Sequence, residues 1–336
     1  MFRSLLIVIF AILISGCETE DIEQDKTRSG FSTQADKILY NGEAVTLNGV
    51  NSLQTFGLMQ ADLYTAWNVK ISREFIGNLK EQPITGDAIL SSQNKWLHSL
   101  EKIVAHNRSL GMVTILCPFG WVNNAGEQIL FTGLNPSAQA FFDEYLIKMR
   151  AIAEHFKGQD DVWIEVWNEP YSWTNGNSYS HELWLSDIRL MVSNLRNIAG
   201  FDNIILVPGN AQGQSEEVLF EQASQLQAEF SNLLFDLHAY EKWLLDNSQL
   251  EIENRLTKIQ DAKIPVIFGE IGVINSSGLM PVEHFLAAAK KLNISVLAWV
   301  FNANSDDQNA LLNNDLLPNE NNNLFWGTTF KSYLSN

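Results

Sequence analysis

The chain is poor in cysteine and in basic residues, and each shortage excludes a class of protein. It has 2 cysteines in 336 residues, which excludes a disulfide framework. Its 22 lysines and arginines against 39 acidic residues give a formal net charge of −17. Nucleic-acid binding needs a basic surface, and acidic polysaccharides such as pectate or alginate would need a basic cluster. We therefore expect a neutral substrate and no nucleic acid.

No apolar run at the N-terminus is long enough to span a bilayer, but residues 5–14 form a short one after a basic start. It ends in Ile14-Ser15-Gly16-Cys17, which resembles a bacterial lipoprotein signal. The resemblance implies a signal peptide over 1–16 and lipidation of Cys17, with an ordinary secretory signal as the alternative. Residues 17–36 are acidic and polar and predict a tether. The remaining cysteine, Cys117, lies in an apolar run and is expected to be buried.

From residue 37 to 336 the pattern indicates a single α/β domain. A hairpin about Asn41-Gly42 comes first. Short apolar runs then alternate with amphipathic helical patterns, and this alternation predicts a parallel sheet covered by helices. Eight such runs favour a closed (β/α)8 TIM barrel over an open doubly wound sheet: 45–50, 69–72, 112–117, 162–167, 204–207, 233–237, 265–268 and 296–300.

Polar and aromatic side chains follow most of these strands. The active sites of such barrels lie where the carboxyl ends of the strands meet. The residues that the pattern places there are Arg73, Phe119, Trp121, Asn168, Glu169, His238, Tyr240, Glu270 and Trp299.

Three of these stretches, "WNEP" at the fourth strand, "HAY" at the sixth and "FGEIG" at the seventh, occur in an order that resembles glycoside hydrolase family 5, a family of cellulases and mannanases. The resemblance covers the barrel and implies that Glu169 is the acid/base and Glu270 the nucleophile. It further implies roles in substrate binding or in holding the carboxylates for Arg73, Asn168, His238, Tyr240 and Trp299.

These residue types suit hydrolysis with retention of configuration. That reaction needs one carboxyl group protonated and another ionised, about 5–5.5 Å apart. Arg73 beside Glu270 would favour the ionised form, and the Tyr240 hydroxyl would donate to it. Pro170 would turn the chain so that Glu169 points into the pocket.

Other residues allow two interpretations. Glu165 is expected to be structural, and Lys70 competes with Arg73 for the arginine's role. The loop aromatics Trp121, Tyr171, Trp173 and Trp243 either stack on sugar rings or pack their own loops; Trp121 and Trp173 are taken as substrate-binding. The Asn-rich stretch after the eighth strand could hold calcium, form a cleft wall or be a solvated loop. No His/Asp/Glu spacing predicts a metal site, and no cofactor is expected.

The sequence therefore predicts a monomeric, lipid-anchored, endo-acting retaining β-glycosidase that acts on a neutral β-1,4-linked glucan or mannan. An exo-glucosidase or a transglycosylase remains possible within the enzyme class. A non-catalytic glycan-binding lipoprotein is the alternative outside it, against which the presence of both Glu169 and Glu270 argues. Glu18, where an aspartate would signal inner-membrane retention, favours the outer membrane.

Overall fold

A closed barrel of eight parallel strands forms the centre of the computed structural model, which describes residues 29–321 and 324–335. Each strand pairs with its neighbours in chain order, and the eighth pairs with the first. The predicted (β/α)8 barrel is thus confirmed. The barrel strands, first to eighth, are Gly49–Ser52, Ile71–Ile76, Val113–Pro118, Val162–Glu165, Ile205–Pro208, Leu233–Ala239, Val266–Ile271 and Ser295–Phe301.

Helices follow every barrel strand and bury one face against the sheet. In the helix Phe142–Phe156 the buried residues include Tyr145, Met149, Ile152 and Phe156, at the three- and four-residue spacing of one helical face. The other helices are Ala61–Ala66, Leu100–Ser109, His181–Arg196, Glu217–Glu229, Glu241–Leu244, Gln249–Asp261, Glu283–Lys291 and Trp326–Ser335. In the described part of the chain, no helix is both long and apolar enough to cross a membrane.

A three-stranded antiparallel sheet covers the amino-terminal end of the barrel. Its strands are Phe31–Gln34, Lys37–Tyr40 and Glu43–Val45, and the turn between the last two has φ +52° at Asn41 and +83° at Gly42. Phe31 packs edge-on against Trp163 at 5.5 Å, and Ile38 joins the apolar layer at this end of the barrel. The predicted tether is therefore too long, since its residues 31–34 form a strand; Cys17 and the predicted signal lie outside the described residues.

Four pairs of short strands lie in the segments that connect the barrel strands and helices. The pairs are Ile89–Leu90 with Trp96–Leu97, Gly120–Val122 with Gln128–Leu130, Thr132–Leu134 with Glu169–Pro170, and Ile274–Asn275 with Gly278–Leu279. Short 3-10 turns span Gln54–Phe56 and Pro136–Ala138.

Two strand boundaries differ from the sequence pattern in ways that matter for the site. The second strand begins later and runs further than predicted, so Arg73 lies inside it and not after it. The fourth strand ends at Glu165, and Glu169 belongs to a separate short strand. The second strand is longer because Arg73 and Glu74 continue its ladder beyond the apolar run, whereas the fourth strand stops before the apolar residues Val166 and Trp167. Cys117 is buried in the third strand, as expected.

Candidate active site

Glu270 lies in the seventh barrel strand with its carboxylate held at both oxygens. Arg73 Nη1 donates to Oε1 at 2.8 Å, and the Tyr240 hydroxyl donates to Oε2 at 2.9 Å. Burial raises the pKa of Glu270 above its ordinary value, although the charges of His238 and Arg73 oppose the rise. Arg73 therefore favours the ionised form of Glu270, as expected, but desolvation outweighs this influence and the pKa of Glu270 is raised overall.

Arg73 is buried beneath the site and donates hydrogen bonds to several of its residues. Its Nε and Nη2 bind both oxygens of Glu165, at 2.7 and 2.9 Å. Nη1 also donates to Asn51 Oδ1 at 2.9 Å, and Nη2 to Asn168 Oδ1 at 2.8 Å. Burial raises the pKa of Glu165 to about 7. The structure therefore places Arg73 in the site, whereas Lys70 is exposed, and gives Glu165 the supporting position expected of it.

Glu169 owes its position to a segment 35 residues or more earlier in the chain. Its backbone N–H donates to Phe131 O at 2.9 Å, and Tyr171 N–H donates to Leu134 O at 2.8 Å. The Phe131 ring stacks on Trp167 with 4.0 Å between ring centroids. We had expected the turn at Pro170 to orient Glu169. In the structure, the parallel pairing with Thr132–Leu134 also fixes the backbone on both sides of Glu169.

His238 connects the two candidate catalytic carboxylates. Its Nδ1 lies 2.9 Å from Glu169 Oε1 and 3.8 Å from Glu270 Oε2. On the other side of the ring, Nε2 lies 3.6 Å from Asp236 Oδ2. Burial lowers the pKa of His238, but Glu270, Asp236 and Glu169 together raise it well above its ordinary value. The three neighbouring carboxyl groups thus favour the protonated form of the imidazole.

Asp236 is a site residue that the sequence reading missed. It is fully buried, accepts from Gly269 N–H at 2.6 Å and lies 3.7 Å from Arg73 Nε. The signal was available, because alternate residues of a strand share a face and Asp236 precedes His238 by two positions.

One oxygen of Glu169, one of Glu270 and a ring nitrogen of His238 lie within 4.8 Å of one another. Glu165, Asp236 and His238 form a second group of the same size. Sequence spacing could not reveal either group as a possible metal site, because each assembles from different strands. Arg73 already occupies both oxygens of Glu165 and one of Glu270.

A cavity of about 280 Å³ opens above these groups. Trp299, which we expect to lie under a sugar ring, lines it and stacks on Phe119 with 5.3 Å between centroids. Gln212 and Gln214, which follow the fifth strand and were not predicted as site residues, also reach the cavity. The remaining lining residues are Thr132, Glu169, Tyr240, Glu270, Ile274, Asn275, Ser276 and Asn309.

A second cavity of about 340 Å³ shares Gln212, Gln214, Asn275 and Ser276 with the first, so the two form a continuous cleft. Trp173 lines this extension, as predicted, and Lys242 Nζ lies 4.5 Å from the centre of its ring.

The other loop aromatics do not reach the cleft. Trp121 is buried and stacked on Phe141 at 5.3 Å, so its predicted role in substrate binding is wrong, because the strand Gly120–Val122 places its ring in the core. Tyr171 donates to Asp187, and Trp243 Nε1 donates to Gln214 O; both are fully buried.

The Asn-rich stretch after the eighth strand forms part of the cleft wall through Asn309, one of the alternatives left open by the sequence. Asn309 Oδ1 accepts from Val273 N–H and Ile274 N–H at 3.0 and 3.1 Å, and its Nδ2 donates to Ile274 O at 2.8 Å. This side chain thereby ties the loop to the segment that follows Glu270.

Comparison with known proteins identifies relatives of this fold and site. The family model for cellulase (glycosyl hydrolase family 5) matches residues 42–305. The chain is 27% identical over 253 residues to a β-mannanase/endoglucanase A of Caldicellulosiruptor saccharolyticus, and 26% identical over 200 residues to an endoglucanase A of Clostridium longisporum. These matches cover 73% and 49% of this chain, but only 18% and 38% of the two relatives, so the chain spans well under half of either.

Solved structures agree on the fold. A β-mannanase from Streptomyces thermolilacinus, determined with mannohexaose, superposes with a TM-score of 0.66 at 21% identity, covering 91% of this chain and 96% of that one. The catalytic domain of a Thermobifida fusca endoglucanase superposes with a TM-score of 0.63 at 14% identity, covering 91% and 97%. At such identities the likeness shows the barrel and leaves the substrate open.

Proposed function

Because the chain belongs to glycosyl hydrolase family 5, we propose that it is a retaining, endo-acting β-glycosidase that hydrolyses a neutral β-1,4-linked glucan or mannan. In this proposal Glu169 is the general acid/base and Glu270 the nucleophile. Both glucan- and mannan-degrading enzymes occur among the relatives, so the sugar stays open between these two.

The observation that carries the proposal is the closeness of Glu169 and Glu270, with carboxyl oxygens within 4.8 Å of one another. Retaining enzymes keep the two carboxyl groups about 5–5.5 Å apart, whereas inverting enzymes need about 6.5–9.5 Å to admit a water molecule between them. The spacing therefore favours direct attack by one carboxylate on the sugar.

The first half-reaction transfers the sugar to the enzyme. Glu270 attacks the anomeric carbon and forms a glycosyl ester, while Glu169 gives its proton to the departing glycosidic oxygen. Arg73 and Tyr240 hold the attacking carboxylate in one orientation, which lowers the entropic cost of reaching the transition state. Water then enters where the leaving group was; Glu169 takes its proton, the ester breaks, and Glu270 is free again.

The continuous cleft supports endo action. The main cavity extends past Glu169 into the cavity lined by Trp173, so polymer units on the leaving-group side have room beyond the cleaved bond.

The stereochemical course tests the mechanism. Following the first-formed reducing sugar by NMR during hydrolysis of a β-1,4 gluco- or manno-oligosaccharide should show the β-anomer first. An α-anomer as first product would refute the paired-carboxylate mechanism.

Two variants separate the roles of the carboxylates. Glu169→Ala should lose about 10²–10⁴-fold in activity on polysaccharide but retain formation of the glycosyl ester from substrates with good leaving groups; added azide should then release a β-glycosyl azide. Glu270→Ala should be inactive and yield no β-glycosyl azide. Azide rescue of Glu270→Ala but not of Glu169→Ala would mean that Glu270 is the acid/base and Glu169 the nucleophile. A wild-type protein that binds glycans but releases no sugar from glucan, mannan or xylan would favour the non-catalytic alternative.

We also propose that Cys17 carries a lipid anchor at the outer membrane. The three-stranded N-terminal sheet covers the barrel end opposite to Glu169 and Glu270, so an anchor there would leave the cleft facing away from the membrane. Stable anchoring needs two or more acyl chains, which a lipoprotein terminus provides.

The variant Cys17→Ser should move the protein from the membrane fraction to the soluble fraction without changing kcat/KM on a soluble glycan. A wild-type protein that fractionates as soluble and incorporates no labelled fatty acid would contradict the anchor and leave the catalytic proposal untouched.

A further inference from the structure

A series of aromatic rings leads out of the catalytic cavity on the side away from Glu169. It begins at Trp299, which stacks on Phe119 at 5.3 Å between centroids. Phe119 lies 4.3 Å from Phe75, and Phe75 lies 6.1 Å from Phe56. Phe56 is 37% exposed, so the series runs from the floor of the cavity to the surface of the molecule.

A small hairpin continues this apolar surface. Its strands Ile89–Leu90 and Trp96–Leu97 place Leu90 opposite Trp96, and these two side chains are 52% and 59% exposed. Leu97, which points to the other face, is buried. The hairpin is fixed next to Phe56, because His98 N–H donates to Thr55 O at 2.8 Å and Lys95 Nζ lies 5.3 Å from the Phe56 ring.

Phe56 also lines a cavity of about 240 Å³. Its lining combines apolar faces with amides and hydroxyls, a mixture that suits the ring and hydroxyl groups of a sugar. Phe301 and Asn302, which follow Trp299 closely in the chain, form one wall, and Gln54, Met59 and Tyr64 are among the other lining residues.

Single exposed apolar side chains are common on protein surfaces and need no explanation. Here, however, an exposed tryptophan and its cross-strand leucine adjoin a row of rings that ends in the catalytic cavity. Large aromatic side chains lose much water-exposed area when they are covered, and that makes them effective binding residues. The continuity with the cavity indicates what covers them, namely more of the same polymer.

Resting on the proposed function, we propose that Phe56, Leu90 and Trp96 form a distal platform for the glycone half of a neutral glycan chain, beyond the units held in the catalytic cavity. The side follows from the barrel order. Glu169 protonates the leaving group and lies after the fourth strand, together with Trp173. Phe56 and the hairpin follow the first and second strands, on the opposite half of the barrel.

The experiment uses substrate length as its readout. The full chain and its Trp96→Ala variant are compared on β-1,4 gluco- and manno-oligosaccharides of three to eight units. KM of the variant should rise about tenfold for the longest chains, the order expected for losing one large aromatic contact. It should stay unchanged for the shortest chains, as should kcat. Trp96→Phe should keep most of the wild type's affinity for long chains, because an aromatic ring remains. The control is Ile147→Ala, which alters a 71% exposed residue of the helix Phe142–Phe156.

A second measurement does not depend on turnover. Electrophoresis through a gel containing soluble glucomannan should retard the wild type and the Ile147→Ala control, and retard Trp96→Ala and Leu90→Ser less, all with unchanged melting temperature. Equal retardation of all four proteins, or an equal loss for short and long substrates, would overturn the platform. So would a Trp96-dependent dimer without any change in glycan binding. If neither the wild type nor any variant releases sugar, but retardation still depends on Trp96, the proposed hydrolysis is refuted and the proposed platform is supported.

Discussion

Glu270 experiences opposing influences from its immediate neighbours. Its carboxylate is buried, and desolvation raises its pKa, while His238, Arg73 and the Tyr240 hydroxyl act to lower it. A nucleophile must be ionised to attack, so activity should fall as the pH drops through the pKa of Glu270. Because that pKa is raised, the acid limb of the kcat/KM profile belongs above about 4.3, the ordinary value for a glutamate.

The variant Tyr240→Phe tests this balance. Removing the hydroxyl takes away a hydrogen bond to the charged form of Glu270, so its pKa should rise further and the acid limb should move to higher pH. The measurement is kcat/KM against pH for wild type and variant on the same oligosaccharide. An acid limb that stays in place or moves to lower pH would show that another group sets it.

At the level of secondary-structure elements, the site depends on loops that hydrogen-bond to the backbone near strand ends far away in the sequence. The stretch Thr132–Leu134 holds the backbone around Glu169, and Asn309, from the loop after the eighth strand, holds the backbone after Glu270. Each candidate catalytic carboxylate thus has a separate segment that fixes the chain next to it.

We expect Asn309→Ala to destabilise the protein by about 2 kcal/mol, since three hydrogen bonds to backbone groups are lost. KM should also rise, because Asn309 lines the cavity. Thermal unfolding and steady-state kinetics measure the two effects. The control is Asn313→Ala, whose side chain accepts from Asp315 N–H and Leu317 N–H within its own loop. Equal losses in both variants would mean that Asn309 acts only within its loop.

These supporting segments mark the limit of what the sequence could predict. Alternating apolar runs fixed the barrel and brought Asn168, Glu169, His238, Tyr240, Glu270 and Trp299 to one rim. Thr132, Asn309 and Gln212 act through contacts between segments far apart in the chain, and no local pattern distinguishes them from ordinary loop residues. Trp121 failed for a related reason, since exposure of a loop aromatic depends on which face of its hairpin meets the core.

For the molecule as a whole, the net charge of −17 bears on which polymers approach the cleft. A charge of this size repels polyanions over a distance set by salt, about 30 Å at 0.01 M and about 3 Å at 1 M ionic strength. Neutral chains do not experience this repulsion.

Two derivatives of one glucan give a matched test. Between about 0.01 M and 1 M salt, kcat/KM should rise several-fold for carboxymethyl cellulose and stay nearly constant for hydroxyethyl cellulose. A salt response of equal size for both polymers would point to an effect on the protein and not on charge repulsion.

The two hydrogen bonds between Arg73 and Glu165 have a consequence for the synthesis of glycosidic bonds. When Glu270 is replaced by a small residue, Arg73 keeps its two bonds to Glu165 and those to Asn51 and Asn168, so its buried charge stays compensated and its position is preserved. If Glu270 is the nucleophile, we expect the vacated space to admit an α-glycosyl fluoride. Glu169 would take the proton of an acceptor hydroxyl, whose oxygen forms the new β-glycosidic bond as the C–F bond breaks and fluoride leaves. Arg73 would then support an enzyme variant that forms glycosidic bonds and cannot hydrolyse its own product.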